Sequence, residues 1–192
     1  MKMSNWLRVN SFNEKDEYYT PPILVKPIIK YLKKSGCRVW CPFDTEKSEF
    51  VIQMKEAKIL VVWSHIWEEK DFFTYEPKEY DVIVSNPPFT RKLDVLKRLY
   101  ELNKPFAMIM GLHIINYQEI GEFFLGKELE LLIVDKKVSF NGKTASFNNS
   151  YFCHNFLEEK IVFEHLEHNN TGKNFVGSKM LEDFKEIQKT LI

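Results

Sequence analysis

The sequence predicts an α/β fold, a mostly parallel sheet flanked by helices and finished by antiparallel strands. Three observations predict it. Up to about residue 110, apolar runs of strand length alternate with stretches whose apolar residues recur every three or four positions. Those runs are solid rather than alternating, as in strands buried on both faces of a parallel sheet. Beyond about residue 128, strand-like runs follow one another with turn residues such as Asn141-Gly142 between them.

Residues 1–17 are polar and read as an irregular arm. Pro21, Pro22 and Pro27 lead into an amphipathic helix over Ile28–Lys34, which Gly36 ends. Arg38–Trp40 reads as a short strand. Glu46–Lys58 carries Phe50, Val51, Met54 and Ala57 at helical spacing. Ile59–Trp63 and Tyr80–Val84 are apolar runs of strand length, Leu93–Leu102 is helical, and Phe106–Met110 is a strand. Strands alternating with helices imply crossover connections and parallel pairing. Leu129–Val134, Lys137–Phe140, Ser150–Phe156 and Ile161–His165 read as the antiparallel end of the sheet. Residues 168–179 read as a loop and Leu181–Leu191 as a terminal helix.

Composition narrows the function class. A chain of 192 residues fits one domain. Lys plus Arg and Asp plus Glu both number 27, so bulk electrostatics do not drive binding to nucleic acid or membrane, although a local basic face is compatible with zero net charge. Three Cys are too few, and odd in number, for a disulfide scaffold, and they suit a reducing compartment. Met1–Tyr19 has no apolar stretch of signal-peptide type, and no apolar run approaches the ~20 residues of a membrane span, so a cytoplasmic location is expected.

The segment richest in chemistry is Tyr80–Phe89, in which a buried strand runs straight into Asn86-Pro87-Pro88-Phe89. Consecutive prolines lack the N–H groups a central ladder needs, so the strand stops at Asn86. In open parallel sheets ligands bind at the carboxyl ends of strands. An exocyclic amine suits this turn. The Asn86 side-chain oxygen can accept one amine hydrogen and the Pro87 carbonyl the other, which orients the nitrogen lone pair. Phe89 can stack on the attached ring. A nucleobase held in this way has to be unstacked, as in base flipping.

Asp81-Val-Ile-Val-Ser-Asn-Pro-Pro-Phe89 resembles the catalytic motif of S-adenosylmethionine-dependent methyltransferases that act on amino groups, above all the N6-adenine enzymes of the small phage and prophage type. Tyr19-Thr20-Pro21 resembles their N-terminal motif near the methionine end of the cofactor. Val39–Thr45 stands where they have the first strand and its glycine-rich turn. Asp71 and Phe72 stand where an acidic-aromatic pair holds the cofactor adenine, and Ser146–Tyr151 resembles the late motif that helps hold the flipped base. The resemblance covers about residues 18–165. It implies a Rossmann-like class I methyltransferase fold over residues 1–192, without a separate target-recognition domain. It further implies transfer of a methyl group from S-adenosylmethionine to adenine N6 of DNA. Cofactor contacts would come from Tyr19, Thr20, Pro21, Cys41, Pro42, Phe43, Asp44, Ser64, His65, Asp71 and Phe72, with catalysis at Asn86, Pro87, Pro88 and Phe89. Arg91, Lys92, Phe147 and Tyr151 would meet the nucleic acid.

Two motifs depart from the family pattern. Thr45 and Lys47 occupy the two glycine positions of the first motif, where glycines allow close approach and φ > 0. After Ile59–Trp63, Ser64-His65 replaces the acid expected to grip the ribose hydroxyls, leaving His65 as a possible acceptor there. An RNA adenine methyltransferase is an alternative, as is a methyltransferase-fold binding module without turnover. Arg91, Lys92, Lys97 and Arg98 follow the Asn-Pro-Pro-Phe turn and suit phosphate contacts. Specificity is expected to be low, or to come from loops near residues 112–128 and 141–149, or from a protein partner. Cys37, Cys41 and His65 lack the ligand spacing of a zinc site, and no metal is expected.

Overall fold

The computed structural model describes residues 19–140 and 148–166. The expected arm at residues 1–17, the loop at 168–179, the helix at Leu181–Leu191, residue Phe147 and most of the 141–149 loop lie outside the described residues.

Among the described residues seven strands form one sheet. They are β1 (Arg38–Cys41), β2 (Leu60–Trp63), β3 (Val82–Ser85), β4 (Phe106–Gly111), β5 (Glu130–Val134), β6 (Asn149–His154) and β7 (Ile161–Glu164), in the order β2-β1-β3-β4-β6-β5-β7. The pairs β1–β2, β1–β3, β3–β4 and β5–β7 are parallel. β6 runs against both neighbours, β4 and β5, and supplies the antiparallel pairing of the C-terminal half. The helices are α1 (Pro22–Ser35), α2 (Glu49–Glu56), α3 (Lys92–Leu102) and α4 (Gln118–Phe124).

Both faces of the sheet are covered, which explains the solid apolar strands. On one face Leu24, Ile28 and Leu32 of α1 and Phe50, Val51 and Met54 of α2 pack with Val39, Val84, Ala107 and Tyr151. On the other, Val95, Leu96 and Leu99 of α3 and Ile120 of α4 pack with Ile83, Phe106, Met108 and Phe152. The turns that carry the motif residues lie at the carboxyl ends of β1 and β3, whereas β4 runs straight into a 3₁₀ helix at Leu112–Asn116.

Several elements differ from the sequence expectation. α1 starts at Pro22 rather than Ile28, because proline at the first helical position gives up an N–H that has no helical partner there. Pro27 then sits inside the helix, and Gly36 caps it at φ 61°. α2 starts at Glu49, after a turn in which the Ser48 N–H donates to Thr45 O at 3.0 Å. Lys137–Phe140 is not a strand. Val138, Ser139 and Phe140 are buried without a ladder, and the Val138 carbonyl is satisfied by Asn149 Nδ2 at 3.3 Å. The stretch expected as a loop over residues 112–128 holds a 3₁₀ helix, Leu112–Asn116, followed by α4. No helix among the described residues is long and apolar enough to cross a membrane.

Candidate active site

The motif turns converge on the carboxyl ends of β1 and β3. β3 ends at Ser85, and the next residue, Asn86, begins the Pro-Pro turn. Pro87 is buried, while Pro88 and Phe89 are half-buried. Asn86 Oδ1 is buried and has no hydrogen-bond partner among the described residues. An unpaired buried acceptor costs about 1–3 kcal/mol, so a donor supplied from outside the chain is favoured there.

Ser85 Oγ donates to Asp44 Oδ2 at 2.5 Å, tying β3 to the turn after β1. Asp44 itself is 5% exposed, and its N–H donates to Ser64 O at 3.3 Å. Tyr19 OH lies 3.5 Å from Thr45 Oγ1, which brings the N-terminal motif onto the same turn, and Thr20 and Pro21 are buried beside it in sequence. Phe43 and Phe72 meet with ring centroids 4.8 Å apart. Tyr19, Phe43, Asp44, Phe72, Ser85 and Asn86 are thus joined by direct contacts or chain adjacency.

The expected glycine positions hold ordinary backbone. Among the described non-glycine residues, positive φ occurs at Lys58, Glu69, Asn103 and Asn155 and not at Thr45 or Lys47. The Thr45 N–H donates to Ser48 Oγ at 2.9 Å. This turn therefore closes by side-chain hydrogen bonding and does not use left-handed backbone.

Other expected contacts are occupied by the chain itself. Ser64 is fully buried, and its Oγ accepts from Trp40 Nε1 at 2.9 Å. His65 is 3% exposed, and its Nδ1 accepts from the Trp67 N–H at 3.2 Å, capping the 3₁₀ helix Ile66–Glu68. Both side chains thus have hydrogen-bond partners within the chain. Cys41 is buried against Met54, 3.9 Å between the sulfurs, and burial pushes its thiol pKa up, so it is a core residue; Pro42 is buried next to it. Tyr151 is also a core residue rather than a base contact. It is 1% exposed, and its OH donates to Leu24 O at 2.8 Å, because its position on β6 faces α1. Asp71 Oδ1 accepts from the Phe73 N–H at 3.0 Å, and Phe72 is 2% exposed.

The flank beyond Phe89 is aromatic and basic. Phe89 meets Phe140 edge-on at 6.0 Å, and Lys92 Nζ lies 5.7 Å from the Phe89 ring centre. Arg91 stacks on Phe73 at 3.8 Å, and its Nε donates to Asp94 Oδ2 at 3.1 Å. A cleft of about 280 Å³ lies here, lined by Phe89, Arg91, Lys92, Leu93, Tyr117 and Glu119 among others. His113 belongs to the same flank. Partial burial, and then the Lys92 ammonium, lower its pKa from 6.5. Among the described residues no three His, Cys, Asp or Glu side chains cluster as a metal site.

Ser85, Phe73 and Phe140 touch the candidate residues Asp44, Arg91 and Phe89, and the sequence reading gave them no role. Ser85 and Phe73 adjoin motif residues, which is the one signal available. Phe140 is distant in sequence and was read as strand.

No family model matches the chain, and no curated protein matches it. Solved structures do resemble it. A methyltransferase subunit of the type I restriction-modification system from Streptococcus thermophilus superposes with a TM-score of 0.52 at 13% identity, over 88% of this chain and 53% of the other. This likeness is one of fold, a mostly parallel α/β sheet completed by antiparallel strands. A protein of Listeria monocytogenes assigned to the class I S-adenosylmethionine-dependent methyltransferases superposes with a TM-score of 0.49 at 8% identity, over 93% of this chain and 75% of the other. The chain spans about half the length of the streptococcal subunit.

Proposed function

We propose that the chain transfers a methyl group from S-adenosylmethionine to the N6 amino group of adenine in DNA. The observation that carries the reading is the buried, unpartnered Asn86 Oδ1 at the carboxyl end of β3. It is an acceptor where a primary amine on an aromatic ring would supply the missing donor. The Pro87 carbonyl is the second acceptor, and Phe89, braced by Phe140, is the stacking wall. Holding both amine hydrogens keeps the nitrogen lone pair out of the ring's conjugation and directs it to one side, so the protein contributes chiefly by positioning.

The cofactor, when bound, supplies an electrophilic methyl on a sulfonium centre. Tyr19, Thr20, Phe43, Asp44, Asp71 and Phe72 would hold it. The Asp71 carboxylate fits an adenine amino group, since a carboxylate has about four acceptor sites and the Phe73 N–H takes one of them. Phe43 offers a half-buried ring beside it. Arg91 and Lys92 would meet phosphates flanking the target base.

A second reading, a binding module without turnover, is favoured by one observation. Ser64 and His65 spend their polar atoms inside the chain where a ribose acid would stand. Labelled-methyl transfer to unmodified DNA, run beside RNA, tests the first reading, and calorimetry with S-adenosylhomocysteine separates it from the second. Transfer to DNA that disappears in Asn86→Ala supports the proposal. Transfer to RNA alone moves the substrate, and no heat of binding at millimolar ligand selects the binding module.

A further inference from the structure

β7 is the outermost strand of the sheet on its C-terminal side among the described residues, and it presents both an unpaired backbone edge and apolar side chains. Its pairing with β5 fixes which groups point outward. The Leu131 N–H donates to Lys160 O at 2.8 Å, and the Asp135 N–H donates to Glu164 O at 3.0 Å. In a parallel ladder alternate residues turn toward the neighbour, so Lys160, Val162 and Glu164 face β5 with their backbone groups. The N–H and C=O of Ile161 and Phe163 therefore point away from the sheet. The side chains of these two residues are 53% and 73% exposed, and they share a face with Leu131 and Ile133, their partners in register.

We propose that β7 is a self-association edge, on which a second copy of this chain pairs its own β7 antiparallel about a two-fold axis at Val162. This goes beyond the reading of the active site and does not depend on it. Antiparallel pairing is what a two-fold axis between like strands requires. With the axis at Val162, Ile161 lies opposite Phe163 of the partner subunit, and these are the residues whose backbone groups point outward, so each such pair exchanges two hydrogen bonds. The same register sets Lys160 opposite the partner subunit's Glu164. Lys160 is 61% exposed along its side chain and forms a surface ion pair with Glu128 at 3.1 Å, a contact of the kind that contributes little. Glu164, 14% exposed along its side chain, is already held by Lys30 and Tyr31, so its charge is largely spent inside the subunit. A slip of the register by one residue in either direction would set Lys160 opposite Phe163 or His165 of the partner subunit and would no longer pair the outward backbone groups, while moving the axis a whole residue, to 161 or 163, would keep that phase but lose the pairing of Ile161 with Phe163. Apolar pairing and hydrogen-bond phase together thus select one register.

Four-residue strands make a small interface, under roughly 1,200 Å², so association should depend on concentration. Sedimentation equilibrium of the full chain from micromolar to several hundred micromolar should show a monomer–dimer equilibrium. Phe163→Asp should weaken it by at least about tenfold, because a charge would face the partner subunit's Ile161. Phe163→Pro should do the same with unchanged circular dichroism, since the Phe163 N–H bonds to nothing in β5. In a Cys37→Ser background, Val162→Cys should form an intermolecular disulfide, because symmetric residues at a non-hydrogen-bonded position lie about 4.5 Å apart. Cysteine at 161 or 163 should cross-link far less. A chain that stays monomeric throughout the range overturns the proposal. So does a dimer indifferent to Phe163→Asp and Phe163→Pro, or one that cross-links best through residue 161 or 163.

Discussion

Ser85 Oγ donates a 2.5 Å hydrogen bond to Asp44 Oδ2, and through it the last residue of β3 is locked to the turn that follows β1. Both residues are at most 5% exposed. Ser85→Ala removes the donor and leaves a buried carboxylate short of one partner. Stability should fall by about 1–3 kcal/mol, read as a lower urea midpoint at unchanged slope. Affinity for S-adenosylhomocysteine should fall with it, because the Asp44 turn would no longer be held against the Asn86 turn. Full retention of both would mean that the contact is incidental.

Asn86→Ala separates function from stability. Oδ1 has no partner among the described residues, so its removal relieves a buried unsatisfied acceptor, and thermal stability should hold or rise. Methyl transfer should nonetheless drop on the order of 100- to 1,000-fold, the scale on which a single preorganised hydrogen-bonding group acts. A variant that unfolds more easily would show that Asn86 serves the fold instead.

The Asn86 turn was legible in the sequence because two prolines after an apolar strand can only end it. The fold class was legible too, since strands covered on both faces show as solid runs such as Val82–Val84 and Phe106–Met110. What escaped depends on contacts between distant residues. Tyr151 and a base-stacking tyrosine look alike in sequence, and only the pairing of β6 with β4 turns this one toward Leu24. Val138–Phe140 carries the composition of a strand but spends it on burial beside Asn149. His65 is a plausible ligand residue by type, and it became a helix cap because the Trp67 N–H lies within its reach.

Thr45→Gly tests whether the missing glycine matters conformationally. Thr45 has ordinary backbone, and its N–H is satisfied by Ser48 Oγ. Glycine would relieve no strain and would add freedom to the unfolded chain. Stability should drop by roughly 0.5–1 kcal/mol in chemical denaturation. A gain in stability would reveal hidden crowding at this turn.

His113 and Lys92 make a pH prediction. Partial burial first, and the nearby ammonium second, hold the imidazole pKa below 6.5, so His113 takes up its proton at a lower pH than an ordinary histidine. Any phosphate attraction from this side chain should appear only below the ordinary histidine range. Lys92→Gln removes the second cause and should raise the His113 pKa in an NMR titration. An unmoved pKa would show that Lys92 does not act on it.

Phe43 and Phe72 touch each other, yet they should respond to mutation in opposite ways. Phe72 is 2% exposed and packs on Trp40 at 5.6 Å, Phe43 at 4.8 Å and Phe73 at 5.4 Å. Truncating a buried phenylalanine costs about 3–5 kcal/mol, a large part of the roughly 5–15 kcal/mol that holds a domain together. Phe72→Ala should therefore lower the urea midpoint steeply, and any loss of activity would reflect unfolding. Phe43 is half-buried, and its ring covers Phe72 from the side where the Asp44 turn lies. Phe43→Ala should keep a cooperative fold at a smaller cost and lose affinity for S-adenosylhomocysteine by calorimetry, since it removes an apolar wall without opening the sheet. If Phe43→Ala instead binds more tightly, the Phe43–Phe72 contact is a plug over the pocket, and the binding-module reading gains the weight that the enzyme loses.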